Sequence, residues 1–203
     1  MQKNEQMYLS QKNYWSQAGA ELKNLRKLVF AALVVALRIA LSGLFIPVGA
    51  NLRIYFHFFI TALGGVICGP VLSLLIGFAA DILGFILFPS GAFFFGYTIS
   101  SMVGAFLYGC FLYKKHVSLL RLFFCKAAVN IGVNVLLGSL WSAILYSKGY
   151  YFYFVQSITK NLILLPVEVT ILYLFFKVIL PVAAKADMVS RWQEEVFLFK
   201  KKQ

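Results

Sequence analysis

Charged residues are scarce in this chain, and acidic residues are the scarcest. Only 13% of the 203 residues are charged, with 7 acidic against 19 basic. Soluble globular domains carry about 25% charged residues, whereas here 61% of the residues are hydrophobic and the mean hydropathy is +0.82. This composition excludes an ordinary soluble domain and predicts a multi-pass protein of the cell membrane.

Sequence patterns for catalysis and metal binding are also missing. The three cysteines, Cys68, Cys110 and Cys125, have neither paired nor metal-ligand spacing, so we expect small buried hydrophobic side chains. The chain has no G-x-x-x-x-G-K-[ST] phosphate loop, no H-E-x-x-H motif and no recognisable Ser/His/Asp set. We therefore expect no enzyme activity, no cofactor and no metal, and a transport function would need partner subunits to hydrolyse ATP.

The predicted fold class is all-α, an integral membrane bundle of six transmembrane helices. Six apolar runs approach the required length of about 20 residues: 28–46, 52–68, 70–88, 92–113, 121–145 and 153–180. Tight turns are expected at Cys68-Gly69-Pro70 and at Pro89-Ser90-Gly91. The predicted division is a cytoplasmic or interfacial N-terminal segment (1–27), a six-helix substrate-binding membrane domain (28–180) and a basic cytoplasmic tail (181–203).

The distribution of Lys and Arg predicts that both termini are cytoplasmic. In that orientation fifteen basic residues, including Lys126 near the start of the fifth span, fall on the inner side, and only Arg53 and Lys148 fall in outer loops. Such a bias usually sets membrane topology. The net charge of +12 is thus explained by insertion and by contact with membrane lipid, and we expect no nucleic-acid partner.

The segment before the first span is expected to form an amphipathic helix on the cytoplasmic surface. Its apolar residues Trp15, Ala18, Leu22 and Leu25 recur at spacings of three and four and so share one helical face.

Charged side chains inside the predicted spans are the first indication of a binding site. Arg38, Asp81, Lys160 and Glu168 lie within spans, and Arg53 lies at an outer rim. A charge at the centre of a membrane helix costs about 2.5–3.5 kcal/mol on insertion scales and so usually marks a functional site. The predicted topology brings all of them except Glu168 into the outer half, which predicts a net-cationic pocket that opens to the exterior.

Aromatic and imidazole side chains are expected at the same level. His57, Phe94, Tyr97 and Trp141 begin or end their spans near the outer surface. A planar organic anion would suit this pocket, because carboxylates pair with Arg or Lys and a flat ring stacks on aromatic side chains.

Alternative interpretations stay open for these residues. The alternatives are an internal Arg38–Asp81 ion pair, a snorkelling Arg53, a structural His57, an interfacial Trp141, and a Glu168 that is structural or paired with Lys160.

Three alanines in the first span form a second pattern. Ala32, Ala36 and Ala40 recur every fourth residue, a spacing that lets another helix approach closely. Arg38 points about 200° away from Ala36 around the helix. The alanine face could therefore meet a partner protein, although ordinary internal packing is the alternative.

An ordered set of motifs covers the whole membrane domain. They are Arg38-Ile39-Ala40-Leu41-Ser42, Arg53-Ile54-Tyr55-Phe56, Gly69-Pro70, Asp81-Ile82-Leu83-Gly84-Phe85, the run from Pro89 to Thr98, Tyr108-Gly109, Asn134 through Trp141, and Leu165-Pro166-Val167-Glu168. With this set the chain resembles the substrate-binding S component of an energy-coupling factor (ECF) vitamin transporter, most closely the folate-specific one. It departs from the expected pattern before Trp141, where a Thr is replaced by Ser139-Leu140.

The resemblance implies six helices, high-affinity capture of folate from outside, and docking onto an ATP-driven energising module. That module comprises a transmembrane coupling protein, which in the family meets the face matched here by Ala32, Ala36 and Ala40, and two ATPase subunits. The hypothesis for the site is that Arg38, Arg53 and Lys160, assisted by His57, offer charge to the glutamate tail of folate. Asp81 would face the hydrogen-bonding edge of the ring, and Phe94, Tyr97 and Trp141 would form the pocket walls.

Two alternatives remain at this point. One is an S component for another vitamin, such as riboflavin or thiamine, although cationic thiamine matches a net-positive pocket poorly. The other is a membrane scaffold protein without a transport role, whose intramembrane charges only pair helices.

Overall fold

A computed structural model describes residues 11–43, 45–49, 52–89, 93–146, 149–193 and 195–198. These contain six helices and one short hairpin: α1 (Gln11–Ala20), α2 (Leu25–Ser42), β1 (Phe45–Gly49), β2 (Leu52–Tyr55), α3 (His57–Leu87), α4 (Phe95–Leu112), α5 (Leu119–Tyr146) and α6 (Tyr150–Lys185). Short 3-10 turns cover Glu21–Lys23 and Arg191–Gln193. Helices α3, α4, α5 and α6 are long and apolar enough to cross a membrane.

The hairpin corrects the prediction of a purely helical chain. The first span was expected to run to residue 46 and the second to begin at 52, but β1 and β2 pair antiparallel there, with Pro47 opposite Arg53. Proline removes a backbone donor and clashes inside a helix, and the apolar run alone does not distinguish a strand from a helix. Arg53 is therefore not on one helical face with His57, and its side chain lies outside the described residues.

Helix α3 folds back on itself at Gly69, which confirms the predicted turn. Gly69 has φ 79° and ψ 175°, a conformation that glycine adopts without a steric penalty, and Pro70 follows at the favoured first position of the next helical segment. A Cβ on Gly64 would lie 3.6 Å from the Ile76 side chain. In a straight helix these two residues would be about 18 Å apart, so the two halves of α3 must run side by side in opposite directions.

Helix α4 packs against both halves of α3 through glycines. A Cβ on Gly65 would lie 2.8 Å from Tyr108, and one on Gly77 would lie 2.6 Å from the Ser101 carbonyl oxygen. A Cβ on Gly109 would lie 2.5 Å from the Pro70 Cα. Backbone therefore meets backbone along this interface, which is how helices pack closely where small residues line the contact.

Helix α1 covers the Gly69 end of the bundle. Of the four residues predicted to share its apolar face, Trp15 and Ala18 lie on it, whereas Leu22 lies in the following 3-10 turn and Leu25 begins α2. Ala18 is fully buried, the Trp15 ring stacks on Phe106 at a centroid distance of 6.1 Å, and the Tyr14 hydroxyl donates to the Gly109 carbonyl at 3.2 Å.

An ion pair ties the segment after α1 to the same end of the bundle. The Glu21 carboxylate accepts from Lys27 Nζ at 2.7 Å and from the Tyr113 hydroxyl at 2.6 Å. Lys27 Nζ also donates to the Ile67 carbonyl at 2.8 Å. We call Glu21, Lys27 and Tyr113 the Glu21 clasp.

The C-terminal segment packs beside the loop that joins α4 to α5. Phe197 N–H donates to the Val117 carbonyl at 3.1 Å, and Leu119 N–H donates to the Phe197 carbonyl at 2.9 Å. Because Val189 is also buried, both ends of the described chain close the same end of the bundle.

Candidate functional site

The Arg38 side chain on α2 contacts polar groups of α3 and α4. We call this set the polar ladder: Arg38, Gly77, Asp81, Thr98 and Ser101. Arg38 Nη2 donates to Ser101 Oγ at 3.1 Å, and Ser101 Oγ donates to the Gly77 carbonyl at 2.8 Å. The Nη1 atom of Arg38 is buried and has no hydrogen-bond partner among the described residues. A buried guanidinium nitrogen without a partner is costly, so this group is available to an anionic ligand.

Asp81 also belongs to the polar ladder and lies one turn along α3 from Gly77. Its carboxylate accepts from the hydroxyl of the fully buried Thr98 at 2.7 Å. In the described part of the chain, Arg38 and Asp81 are connected through α4 side chains and not by a direct ion pair within 4.0 Å.

The three aromatic residues predicted for the pocket come together between the start of α4 and the end of α5. The Phe94 ring centroid lies 5.6 Å from that of Trp141 and 6.1 Å from that of Tyr97. The Trp141 indole N–H donates to Ser100 Oγ at 2.9 Å, and a Cβ on Gly96 would lie 2.6 Å from the indole. Phe94, Tyr97 and Trp141, which we call the aromatic cluster, are thus positioned by Ser100 and by the absence of a side chain at Gly96.

The buried ion pair of the bundle was not predicted. Lys126 was counted among the inner, cytoplasmic basic residues, but it lies in α5, is 2% exposed and places its ammonium 3.3 Å from the Glu168 carboxylate. The same ammonium lies 4.2 Å from the Phe58 ring centroid, a favourable cation–π distance. Glu168 is therefore paired with Lys126, and of the two alternatives left open for it the structure favours a structural role over an ion pair with Lys160.

A chain of amide hydrogen bonds extends from Glu168 between α5 and α6. Asn130 Nδ2 donates to Glu168 Oε2 at 2.7 Å, and Asn134 Nδ2 donates to Asn130 Oδ1 at 3.1 Å and to Asn161 Oδ1 at 3.4 Å. We call Asn130, Asn134 and Asn161 the amide chain. The recurrence of Lys126, Asn130 and Asn134 at every fourth position is the sequence signal that could have revealed it.

Two members of the amide chain, Asn130 and Asn134, lie on an unusual stretch of helix. Val129–Leu137 within α5 is π-helical, with ordinary α-helix on both sides. Such wide turns are rare and are often found at functional sites. Here the wide turn carries Asn130 and Asn134.

Lys160 is not joined to the polar ladder by hydrogen bonds or ion pairs of the described residues. Lys160 makes no hydrogen bond or ion pair with another described residue, and it borders a shallow groove of about 630 Å³. The groove residues are Tyr151, Phe152, Val155, Gln156, Thr159, Lys160 and Ile163. His57 begins α3, and its carbonyl accepts from the Thr61 hydroxyl at 3.0 Å.

The alanine face of α2 points away from these polar groups. Ala32, Ala36 and Ala40 are all exposed, and the neighbouring Leu33 and Leu37 are 52% and 39% exposed. In the described part of the chain this face is not used for internal packing.

Comparisons with known proteins give one consistent result. A family model described as the substrate-specific component of ECF transporters matches residues 26–176. A folate transporter FolT of Clostridium novyi (strain NT) is 31% identical over 158 residues, which cover 78% of this chain and 92% of the relative. A folate transporter FolT of Leuconostoc mesenteroides subsp. mesenteroides is 32% identical over 156 residues, covering 73% and 83%.

A solved structure has the same fold. It is a crystal structure of FolT bound with folic acid, which aligns with a TM-score of 0.65 at 26% sequence identity, covering 72% of this chain and 88% of that one.

Proposed function

The chain belongs to the family of substrate-specific components of ECF transporters, and from this premise we propose that it captures folate from outside the cell with high affinity. It is a multi-pass membrane protein and functions as a substrate-binding subunit, not as an enzyme. A transmembrane coupling subunit and two ATPase subunits drive delivery of folate across the membrane.

The observation that carries this proposal is that residue 94 and the first two turns of α4 contribute both to the aromatic cluster and to the polar ladder. Phe94 and Tyr97 belong to the aromatic cluster, while Thr98 and Ser101 hold Asp81 and Arg38. One stretch of helix therefore places flat aromatic walls next to a cation and a carboxylate. Folate combines a flat pterin ring with a carboxylate-bearing glutamate tail, which such a site can bind by stacking and by charge pairing.

Residue roles within the site follow from chemistry. Phe94, Tyr97 and Trp141 wall the ring. Arg38, whose Nη1 lacks a protein partner, meets a tail carboxylate, and Asp81 accepts from the ring edge. The further cations proposed for the tail are Arg53 and Lys160, with His57 assisting.

The proposed topology has six membrane-crossing segments: α2, the two halves of α3, α4, α5 and α6. Moving Lys126 into the bundle leaves fourteen basic residues on the inner side against two outside, which supports cytoplasmic termini. The Gly69 end, covered by α1 and the C-terminal segment, is then the cytoplasmic end. The division into 1–27, 28–180 and 181–203 is retained with this topology.

The coupling subunit is proposed to dock on Ala32, Ala36 and Ala40. Their exposure and their position opposite the polar ladder support this assignment. Small side chains on an exposed membrane helix permit the close helix–helix contact that docking requires.

Titration of the purified protein with folic acid tests the function. Trp141 is one of three tryptophans, so ligand stacking on it should quench fluorescence in a saturable way, and a Trp141→Phe variant should lose most of the signal change. Riboflavin and thiamine serve as controls for the other vitamins. A protein that responds to one of these and not to folic acid, or to none of the three, would contradict the proposal, and the second result would favour a scaffold role.

A further inference from the structure

In the amide chain between α5 and α6, the donor and the acceptor of each hydrogen bond are fixed by the neighbouring groups. This order points to a ligand contact beyond those assigned above. We propose that Asn134 is a specificity-determining residue whose Oδ1 accepts a hydrogen bond from an N–H group of the bound ring. This inference rests on the proposed function, because it concerns the ring of the folate bound there.

The direction of the chain starts at Glu168. An ionised carboxylate only accepts hydrogen bonds, and Glu168 forms an ion pair with the Lys126 ammonium at 3.3 Å. Asn130 must therefore turn its Nδ2 toward Glu168, at 2.7 Å, and its Oδ1 toward Asn134.

A second constraint fixes Asn134 independently. Asn161 Nδ2 donates to the Ser157 backbone carbonyl at 2.8 Å, and a carbonyl oxygen can only accept. Asn161 thus presents Oδ1 to Asn134, as Asn130 does, at 3.4 and 3.1 Å. Both neighbours require Asn134 to donate through Nδ2, which leaves its Oδ1 without a donor in the part of the chain that the structure describes.

The position of Asn134 indicates which part of the site its Oδ1 faces. Asn134 is exposed while Asn130, on the same side of α5, is buried. Trp141 follows seven residues later, about two turns and about 10 Å along the helix. An amide facing lipid would be costly, so we place Asn134 at the floor of the pocket whose wall is the aromatic cluster.

The pterin ring supplies the matching chemistry. Its pyrimidine edge carries N–H groups on the exocyclic amine and on the adjacent ring nitrogen, more donors than the Asp81 carboxylate need satisfy alone. A site that presents a fixed acceptor rejects ligands without a donor there, because the acceptor would be left unpaired. Asn134 is therefore expected to select for the ring, whereas the cations bind the tail.

The test compares Asn134→Leu, Glu168→Gln and Thr170→Val by fluorescence titration with folic acid. Asn134→Leu removes the acceptor, whereas Glu168→Gln lets an amide N–H face Asn130 and so removes one of the two constraints on the orientation of Asn134, leaving the one from Asn161. We expect the first to weaken folic acid binding about ten- to a hundredfold and the second by less than that, because Asn161 still accepts from Asn134 Nδ2. Thr170 is exposed on the same helix as Glu168, with its hydroxyl bonded to the Pro166 carbonyl, and its variant should bind like the unsubstituted protein.

A ringless fragment separates ring recognition from general damage. p-Aminobenzoyl-glutamate keeps the tail, so Asn134→Leu should leave its affinity unchanged. Equal losses for folic acid and the fragment, or an unchanged folic acid affinity in Asn134→Leu, would overturn the assignment of Asn134 while leaving the proposed function standing. If Asn134→Leu fails to fold, Asn134→Ala, which also removes the acceptor, takes its place in the same two titrations. A complete lack of folic acid binding by the unsubstituted protein would instead remove the proposed function.

Discussion

Lys126 and Glu168 form an ion pair inside the bundle, at 3.3 Å between the ammonium and the carboxylate. They come from α5 and α6, and Asn130 completes the shell of the carboxylate with a 2.7 Å hydrogen bond. Two opposite charges are thus stable where either one alone would not be.

Removing only the Lys126 ammonium should therefore strongly destabilise the folded protein. We expect Lys126→Met to destabilise the protein by about 3–5 kcal/mol, because it leaves an unpaired buried carboxylate. The Lys126→Met/Glu168→Leu double variant should recover most of that loss. Thermal unfolding of the ligand-free protein measures both, and a double variant less stable than the single one would contradict a paired role.

The glycine contacts between α3 and α4 predict a second stability effect. Gly109→Val should destabilise the protein by about 1–3 kcal/mol or more, because even its Cβ would meet the Pro70 Cα at 2.5 Å. Gly132→Ala is the matched control, since a Cβ there has no neighbour within 4 Å. The comparison uses thermal unfolding, and similar melting temperatures for the two variants would show that α4 can move away from α3.

The Glu21 clasp predicts a pH dependence at alkaline pH. Burial, and after it the hydrogen bond to Glu21, raises the pKa of Tyr113 above its ordinary value of 10.0. A group with a raised pKa in the folded protein contributes full stability below its unfolded pKa and loses that contribution as the pH rises through the folded pKa. Stability should therefore fall above about pH 10, and Tyr113→Phe should flatten that part of the curve. Melting temperatures between pH 7 and 11 measure this effect, and parallel curves for both proteins would exclude a contribution from Tyr113.

The aromatic cluster predicts a graded effect on folate affinity. Trp141→Phe keeps a ring but loses the N–H bond to Ser100, so a loss of about fivefold is expected for a hydrogen bond worth about 1 kcal/mol. Trp141→Ala removes the wall and should cost about ten- to a hundredfold. Isothermal titration calorimetry avoids dependence on tryptophan fluorescence. Trp192→Phe, at the Gly69 end of the bundle, should leave the affinity unchanged, and a loss there as large as at Trp141 would place the site elsewhere.

The alanine face predicts a separation of binding from transport. Ala36→Trp should leave folic acid affinity unchanged but weaken co-purification with the coupling and ATPase subunits, because a large side chain blocks close helix contact. Leu174→Trp is the control, since Leu174 is exposed on α6, away from α2. Docking on the alanine face would be contradicted if both variants assembled equally well.

The sequence supported the prediction of a helical membrane protein with a turn at Gly69, because hydrophobic length and Gly–Pro chemistry are local properties. It also placed Phe94, Tyr97 and Trp141 at one level, since the alternation of spans fixes depth. The structure brings these three together, as expected.

The sequence did not predict which residues of different helices and strands contact each other. Lys126 lies near the start of an apolar run, where a basic residue predicts an inner anchor, although its partner Glu168 is forty-two positions further along. The β1–β2 hairpin was missed because its apolar residues continue the hydrophobic runs on either side. In both cases the deciding contact is made with a residue from another element, which hydropathy does not record.

The wide turn in α5 also fixes the angular register of its two ends. Each residue of an α-helix advances the rotation by about 100°. The stretch Val129–Leu137 is π-helical, so its hydrogen-bonded turns are one residue longer and each residue advances the rotation by less. Lys126, before this stretch, thereby faces Glu168, while Trp141, after it, faces Phe94. Deleting one residue from this stretch would turn one of these two side chains out of the bundle, even though composition, length and hydrophobicity would hardly change.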